Sequence, residues 1–134
     1  MRCRRTVRGN AVLEMALVLP VLLLLAFGTV EFGYYFYVRS NLQGAAREGA
    51  RAAIVASATN ADVTSAVAAA MNACGLQNSG YSVSLNPPNV GSAAAGTAIT
   101  VTVECTWGAV GIRPLQLISA GKILRGTAVM RKED

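Results

Sequence analysis

Met15-Ala16-Leu17-Val18-Leu19-Pro20-Val21-Leu22-Leu23-Leu24-Leu25-Ala26-Phe27-Gly28-Thr29-Val30 is a run of sixteen residues without a charge, bounded by Glu14 and Glu31. Beyond Glu31 the apolar character resumes through Phe32-Gly33-Tyr34-Tyr35-Phe36-Tyr37-Val38 and stops at Arg39. A hydrocarbon core of ~30 Å takes about 20 helical residues at 1.5 Å each. Residues 12–33 meet that length with one glutamate near each face, and the aromatic residues that follow fall where an interfacial belt belongs. Upstream stand Arg2, Arg4, Arg5 and Arg8, with no acidic residue among them. Lys and Arg flanking an apolar helix stay on the cytoplasmic side. The sequence therefore predicts a basic leader over 1–9, a transmembrane helix over 10–38 with a cytoplasmic N-terminus, and an extracytoplasmic region over 39–134. Pro20 removes one backbone hydrogen bond and predicts a bend, which membrane helices tolerate. A cleaved secretory signal is the competing reading, but its apolar core runs only about 7–15 residues and ends at a small-residue site. The present run is longer, and Gly28 to Gly33 offers no such site.

The chain of 134 residues has room for that segment and one small domain. Its net charge of +5 resembles a nucleic-acid signal until its distribution is considered. Without residues 1–9, eight basic residues face seven acidic ones, a net of +1. No downstream Lys/Arg cluster carries interleaved aromatics, so the charge reports topology and no nucleic-acid partner is expected. The absence of histidine removes Ser-His-Asp and Cys-His catalysis and the commonest metal ligand. The carboxylates are scattered, and the Gly-rich stretches lack the Lys-Ser/Thr of a phosphate loop. No enzyme, cofactor or metal site is expected. Of the three cysteines, Cys3 lies in the leader, whereas Cys74 and Cys105 fall outside the membrane, where a disulfide persists. Pairing Cys74 with Cys105 would close a loop of about 30 residues, worth roughly 3–4 kcal/mol; two buried thiols are the alternative.

The long helix is expected to continue to about residue 56, because residues 39–56 are alanine-rich and free of proline. Ala45, Gly49, Ala52 and Ala56 recur at spacings of three and four, a stripe of small residues that lets another backbone approach. The partner is either the domain's own sheet or a neighbouring helix. Arg47, Glu48 and Arg51 read as a solvated face. After the break at Ser57-Ala58-Thr59-Asn60, Thr59 or Asn60 caps a second helix over 61–73, with Asp62 in its first turn and Gly75 as its stop. Tyr81 to Leu85 alternates as a strand and ends at Asn86-Pro87-Pro88-Asn89, and Val90 to Gly96 reads as a flexible loop. From Thr97 to Thr106 the alternation is clearest, with Ile99, Val101, Val103 and Cys105 on one face. Trp107 to Ala120 reads ambiguously, with a short helix opened by Pro114 over Pro114 to Ile118 as one reading. A last strand over 123–131 carries Leu124, Gly126, Ala128 and Met130 on one face. The fold class expected is α+β and pilin-like: one long helix, a short helix, and an antiparallel sheet of three or four strands.

Glu14 poses a separate question, because a carboxylate costs roughly 2.5–3.5 kcal/mol at mid-bilayer. It either sits in the headgroup zone of an uncleaved anchor or finds a cationic partner. Here the residues resemble a known family. Arg8-Gly9-Asn10-Ala11-Val12-Leu13-Glu14 with the apolar helix after it looks like the class III signal of type IV pilins and pseudopilins. Together with Gly28-Thr29-Val30-Glu31-Phe32-Gly33 and Ala45-Ala46-Arg47-Glu48-Gly49-Ala50-Arg51, it resembles the TadE-like family of tight-adherence pseudopilins. The resemblance covers about residues 8–53 and no motif beyond residue 55. It implies cleavage after Gly9 by a prepilin peptidase at the inner membrane, exposing Asn10 as the new N-terminus. It further implies that Glu14 aids subunit registry, and that the partners are an Flp-type major pilin, other minor pilins, the inner-membrane pilus platform and the lipid bilayer. Asn10 departs from the phenylalanine or methionine found in other pilins. The expected function is that of a minor pilin in biogenesis of a tight-adherence pilus. The alternative is an uncleaved, membrane-anchored extracytoplasmic binding module.

Overall fold

A computed structural model describes residues 8–133, with side chains from Ala11 onward. Helix α1 runs Arg8–Ala53, 46 residues or about 69 Å. It is followed by α2 (Asn60–Ala73), β1 (Ser82–Asn86), β2 (Ala98–Thr106), the single turn α3 (Trp107–Val110) and β3 (Ile123–Arg131). The strands form an antiparallel meander in the order β1-β2-β3. The long apolar helix, short helix and three-stranded sheet are the α+β architecture expected. The leader expectation falls largely on residues 1–7, outside the described residues.

The alternation along β2 and β3 sets which face the helix covers. Ile99, Val101, Val103 and Cys105 are all buried, as are Leu124, Gly126 and Ala128 opposite them. Val38, Leu42, Ala45, Ala46, Ala50 and Ala53 of α1 close the same core, with Val63, Val67 and Met71 of α2. On the far face of the sheet, Glu104 pairs with Arg125 across the ladder and Thr102 with Thr127. Such cross-strand pairs contribute roughly 0.2–1 kcal/mol each.

Several details differ from expectation, beginning with β1, which is shifted by one residue to take in Asn86. Helix α1 stops at Ala53, so Ala56 lies beyond it, exposed in the turn that follows. Val90 to Gly96 is a loop, but it is pinned: Val90 is buried, and its N–H donates to Asn60 Oδ1 at 2.9 Å. The buried Lys132 donates through Nζ to the Val90 carbonyl at 2.7 Å. Finally, Pro114 to Ile118 forms no helix; the chain there is irregular, and Gln116 adopts a φ of 53°.

Candidate functional site

The N-terminal half of α1 carries the residues singled out for processing and registry. Gly9 and Asn10 lie in its first turn, which begins at Arg8, and Glu14 follows on an exposed stretch of the helix. From Ala11 to Phe27 every residue is exposed, including Leu17, Leu22, Leu24 and Phe27. The most apolar 18-residue window here has a mean hydropathy of 2.4. Uncovered aliphatic surface on this scale marks an interaction with lipid or protein. The helix is long and apolar enough to cross a membrane, and the arrangement is that of a single-pass anchor carrying a C-terminal domain.

Burial on α1 begins at Glu31, which sequence reading placed merely near the outer face. Its side chain is completely inaccessible to solvent. The Leu115 N–H donates to Oε2 at 3.2 Å and the Ile118 N–H donates to Oε1 at 2.9 Å. These two amides belong to the segment for which a short helix is one reading. They turn inward to the carboxylate instead, and Gln116, in a left-handed conformation that costs a non-glycine residue roughly 1–2 kcal/mol, lies between them. A charge-assisted hydrogen bond is about twice as strong as a neutral one, which offsets that strain. Leu117 then crosses α1 at Gly28, its Cδ1 3.9 Å from where a Cβ would stand. The only local hint of this clamp was a carboxylate inside an apolar stretch, which demands a partner; its partners lie more than 80 residues away.

The small-residue stripe serves the domain itself. Ala45 is buried, Ala52 is half-buried, and a Cβ at Gly49 would meet Val67 Cγ2 at 2.6 Å and Val101 Cγ1 at 3.1 Å. Gly49 thus lets α2 and β2 converge on α1. Arg47, Glu48 and Arg51 are exposed, with an Arg51–Glu48 pair at 3.7 Å, a solvated face as expected. The aromatic belt divides: Phe32, Phe36 and Tyr37 are exposed, while Tyr34 and Tyr35 turn inward onto Trp107, with ring centroids 6.0 and 5.6 Å away. Tyr37 also donates its hydroxyl to the Cys74 carbonyl at 3.0 Å.

Cys74 and Cys105 are free thiols in the structure, not the disulfide their spacing allowed. The Cys74 thiol, at the end of α2, donates to the Ala70 carbonyl at 3.2 Å. Cys105 is buried on the helix-facing side of β2, and that burial pushes its thiol pKa up, keeping it protonated. Among the described residues no group of His, Cys, Asp and Glu is placed to hold a metal ion.

The segment that matches a known family is α1 itself. Residues 9–51 match the family model of TadE-like protein. The match covers about a third of the chain, starts one residue inside α1 and ends two residues before its last turn closes. The match is confined to α1 and does not extend to the domain that follows it. No curated protein and no solved structure matches the chain.

Proposed function

We propose that this protein is a minor pilin or pseudopilin in the biogenesis of a tight-adherence, Flp-type pilus. The observation that carries the reading is one helix with two halves: a TadE-like segment over 9–51 whose first half is bare and apolar and whose second half bears the folded domain. A helix of that design enters a bilayer and, once extracted, finds equivalent apolar surface on other subunits. In this reading the helix spans the inner membrane with its N-terminus cytoplasmic and its domain extracytoplasmic. A prepilin peptidase cuts after Gly9. The new ammonium at Asn10 lies about one helical turn from Glu14, the fifth residue of the mature chain. Pairing of that carboxylate with an Asn10 ammonium, its own or a neighbour's, offsets the desolvation of both charges. The partners are then the major pilin, other minor pilins and the inner-membrane platform.

Mass spectrometry of the protein from cells with an active prepilin peptidase tests the reading. The expected N-terminus is Asn10; an intact leader would favour an uncleaved anchor with a binding domain. Gly9→Ala is expected to block maturation. Glu14→Ala should leave cleavage largely intact and impair assembly, since removing one partner of a buried charge pair costs about 3–5 kcal/mol. Equal loss of cleavage in both variants would contradict this division of roles.

A further inference from the structure

The anchor is short by charge-free length. The sixteen residues between Glu14 and Glu31 give about 24 Å of helix, against a hydrocarbon thickness of ~30 Å. One of the two glutamates is then drawn toward the hydrocarbon, and in the folded chain Glu31 is the one whose oxygens already have donors. Glu14 stands exposed on the helix, whereas both Glu31 oxygens are occupied by the Leu115 and Ile118 amides beneath a covering loop. A carboxylate away from water is tolerated when such hydrogen bonds replace its hydration.

The loop that covers Glu31 turns apolar side chains outward. Ile112 is 51% exposed and Leu117 is 53% exposed. Leu117 lies over Gly28, nearly one helical turn closer than Glu31 to the N-terminal end of α1. Leu24, Leu25 and Phe32 line the same groove and are themselves exposed. The apolar groove on the anchor therefore continues onto Leu117 of the loop, with Thr29 the one polar side chain among its lining residues. Non-helical backbone is not tolerated facing mid-bilayer lipid, but the acyl–headgroup boundary, where amphipathic segments bury about 5–10 Å, suits a loop of this kind. Arg113 follows Ile112 in the loop, and a long basic side chain of this kind favours the headgroup zone over the acyl core.

We propose that the Ile112–Ile118 loop is seated in the acyl–headgroup boundary of the bilayer beside α1, and that Glu31 is the buried post that sets its depth. The occupant of the loop's outer face is lipid. The domain is thereby held against the membrane at two points, which restricts its tilt relative to the anchor. This inference rests on the membrane anchor and not on cleavage or on a pilus.

The test uses the full chain with Cys3, Cys74 and Cys105 replaced by serine and one new cysteine carrying an environment-sensitive fluorophore. Leu22→Cys reports the anchor, Leu117→Cys the loop, and Thr64→Cys the distal end of the domain. Each is reconstituted in phosphatidylcholine–phosphatidylglycerol vesicles containing lipids with a nitroxide at a shallow or a deep acyl position. The label at 117 should be quenched at least twofold more by the shallow nitroxide than by the deep one, the label at 22 more by the deep one, and the label at 64 by neither. Adding Glu31→Ala should cut quenching at 117 by half or more, with quenching at 22 unchanged. If circular dichroism shows that Glu31→Ala does not fold, Gly28→Leu, which fills the seat of Leu117, replaces it with the same expectation. Quenching at 22 without quenching at 117 would overturn the seat. So would a signal at 117 that follows the protein-to-lipid ratio instead of the nitroxide, because the occupant would then be a second copy of the chain. Unchanged quenching at 117 in the position-31 and position-28 variants would overturn the role of Glu31. Absence of quenching at both 22 and 117 would remove the anchor and the loop seat together.

Discussion

At Gly126 the backbone of α1 passes directly over the sheet. A Cβ built there would run into the Leu42 carbonyl group and the Gln43 nitrogen, both backbone atoms of α1. One residue on, the Gln43 carboxamide engages Thr127 in both directions: Nε2 donates to the Thr127 carbonyl at 2.6 Å, and Oε1 accepts from the Thr127 N–H at 3.2 Å. The helix side chain thus satisfies the Thr127 backbone as a neighbouring strand would, and among the described residues the sheet has three strands. Because backbone cannot repack as a side chain can, Gly126→Ala is expected to cost about 1–3 kcal/mol, the usual range for overpacking. A denaturant midpoint equal to that of the parent would show that α1 does not sit where described. Sequence alternation marked Gly126 as inward-facing, but that it must be glycine depends on a helix backbone more than 80 residues away. Gly49 was legible for the opposite reason: its neighbours in the small-residue stripe lie on the same helix.

At the scale of elements, α2 shows what local chemistry encodes. Thr59 Oγ1 accepts from the Asp62 N–H, and the Asp62 carboxylate accepts from the Thr59 N–H at 2.8 Å, a reciprocal capping box. Four residues suffice to make it, so the start of α2 was legible to within one residue, with Thr59 and not Asn60 as the cap. The hydrogen bonds from the Thr59 side chain and backbone hold the Asp62 carboxyl below the ordinary carboxylate range. A depressed folded-state pKa contributes stability above the unfolded-state value and loses it as pH falls through the folded value. Thr59→Ala should cost about 1 kcal/mol near neutral pH. Asp62→Asn should flatten the acid limb of the stability profile below about pH 4, where unperturbed carboxyls titrate. An unchanged acid limb would mean that the cap does not titrate with folding. The Pro114–Ile118 segment is the counter-example. Proline at a first turn favours a helix, but bonds to Glu31 in another element outweigh one turn of helix, whose nucleation is unfavourable.

The molecule as a whole is divided at Glu31. Up to Phe27 α1 is bare; beyond Glu31 the helix forms one wall of the domain core, from Val38 to Ala53. A chain lacking residues 1–27 keeps Glu31 and the entire core, so it should be soluble and unfold in one cooperative urea transition with a slope of about 1–3 kcal/mol per molar. A non-cooperative melt would show that the apolar half is needed for the fold as well as for anchoring. The sequence by itself determined the anchor, the positions of α2, β2 and β3, and the face each strand buries, because charge-free length, capping and alternation act over a few residues. Only the tertiary structure decided that Tyr34 and Tyr35 pack against the domain core, that the small-residue stripe packs inward, and that Glu31 organises a distant loop. Each of those outcomes depends on which surfaces meet after the chain has turned back on α1, and hydrogen-bond partners 84 and 87 residues apart leave no local pattern to read.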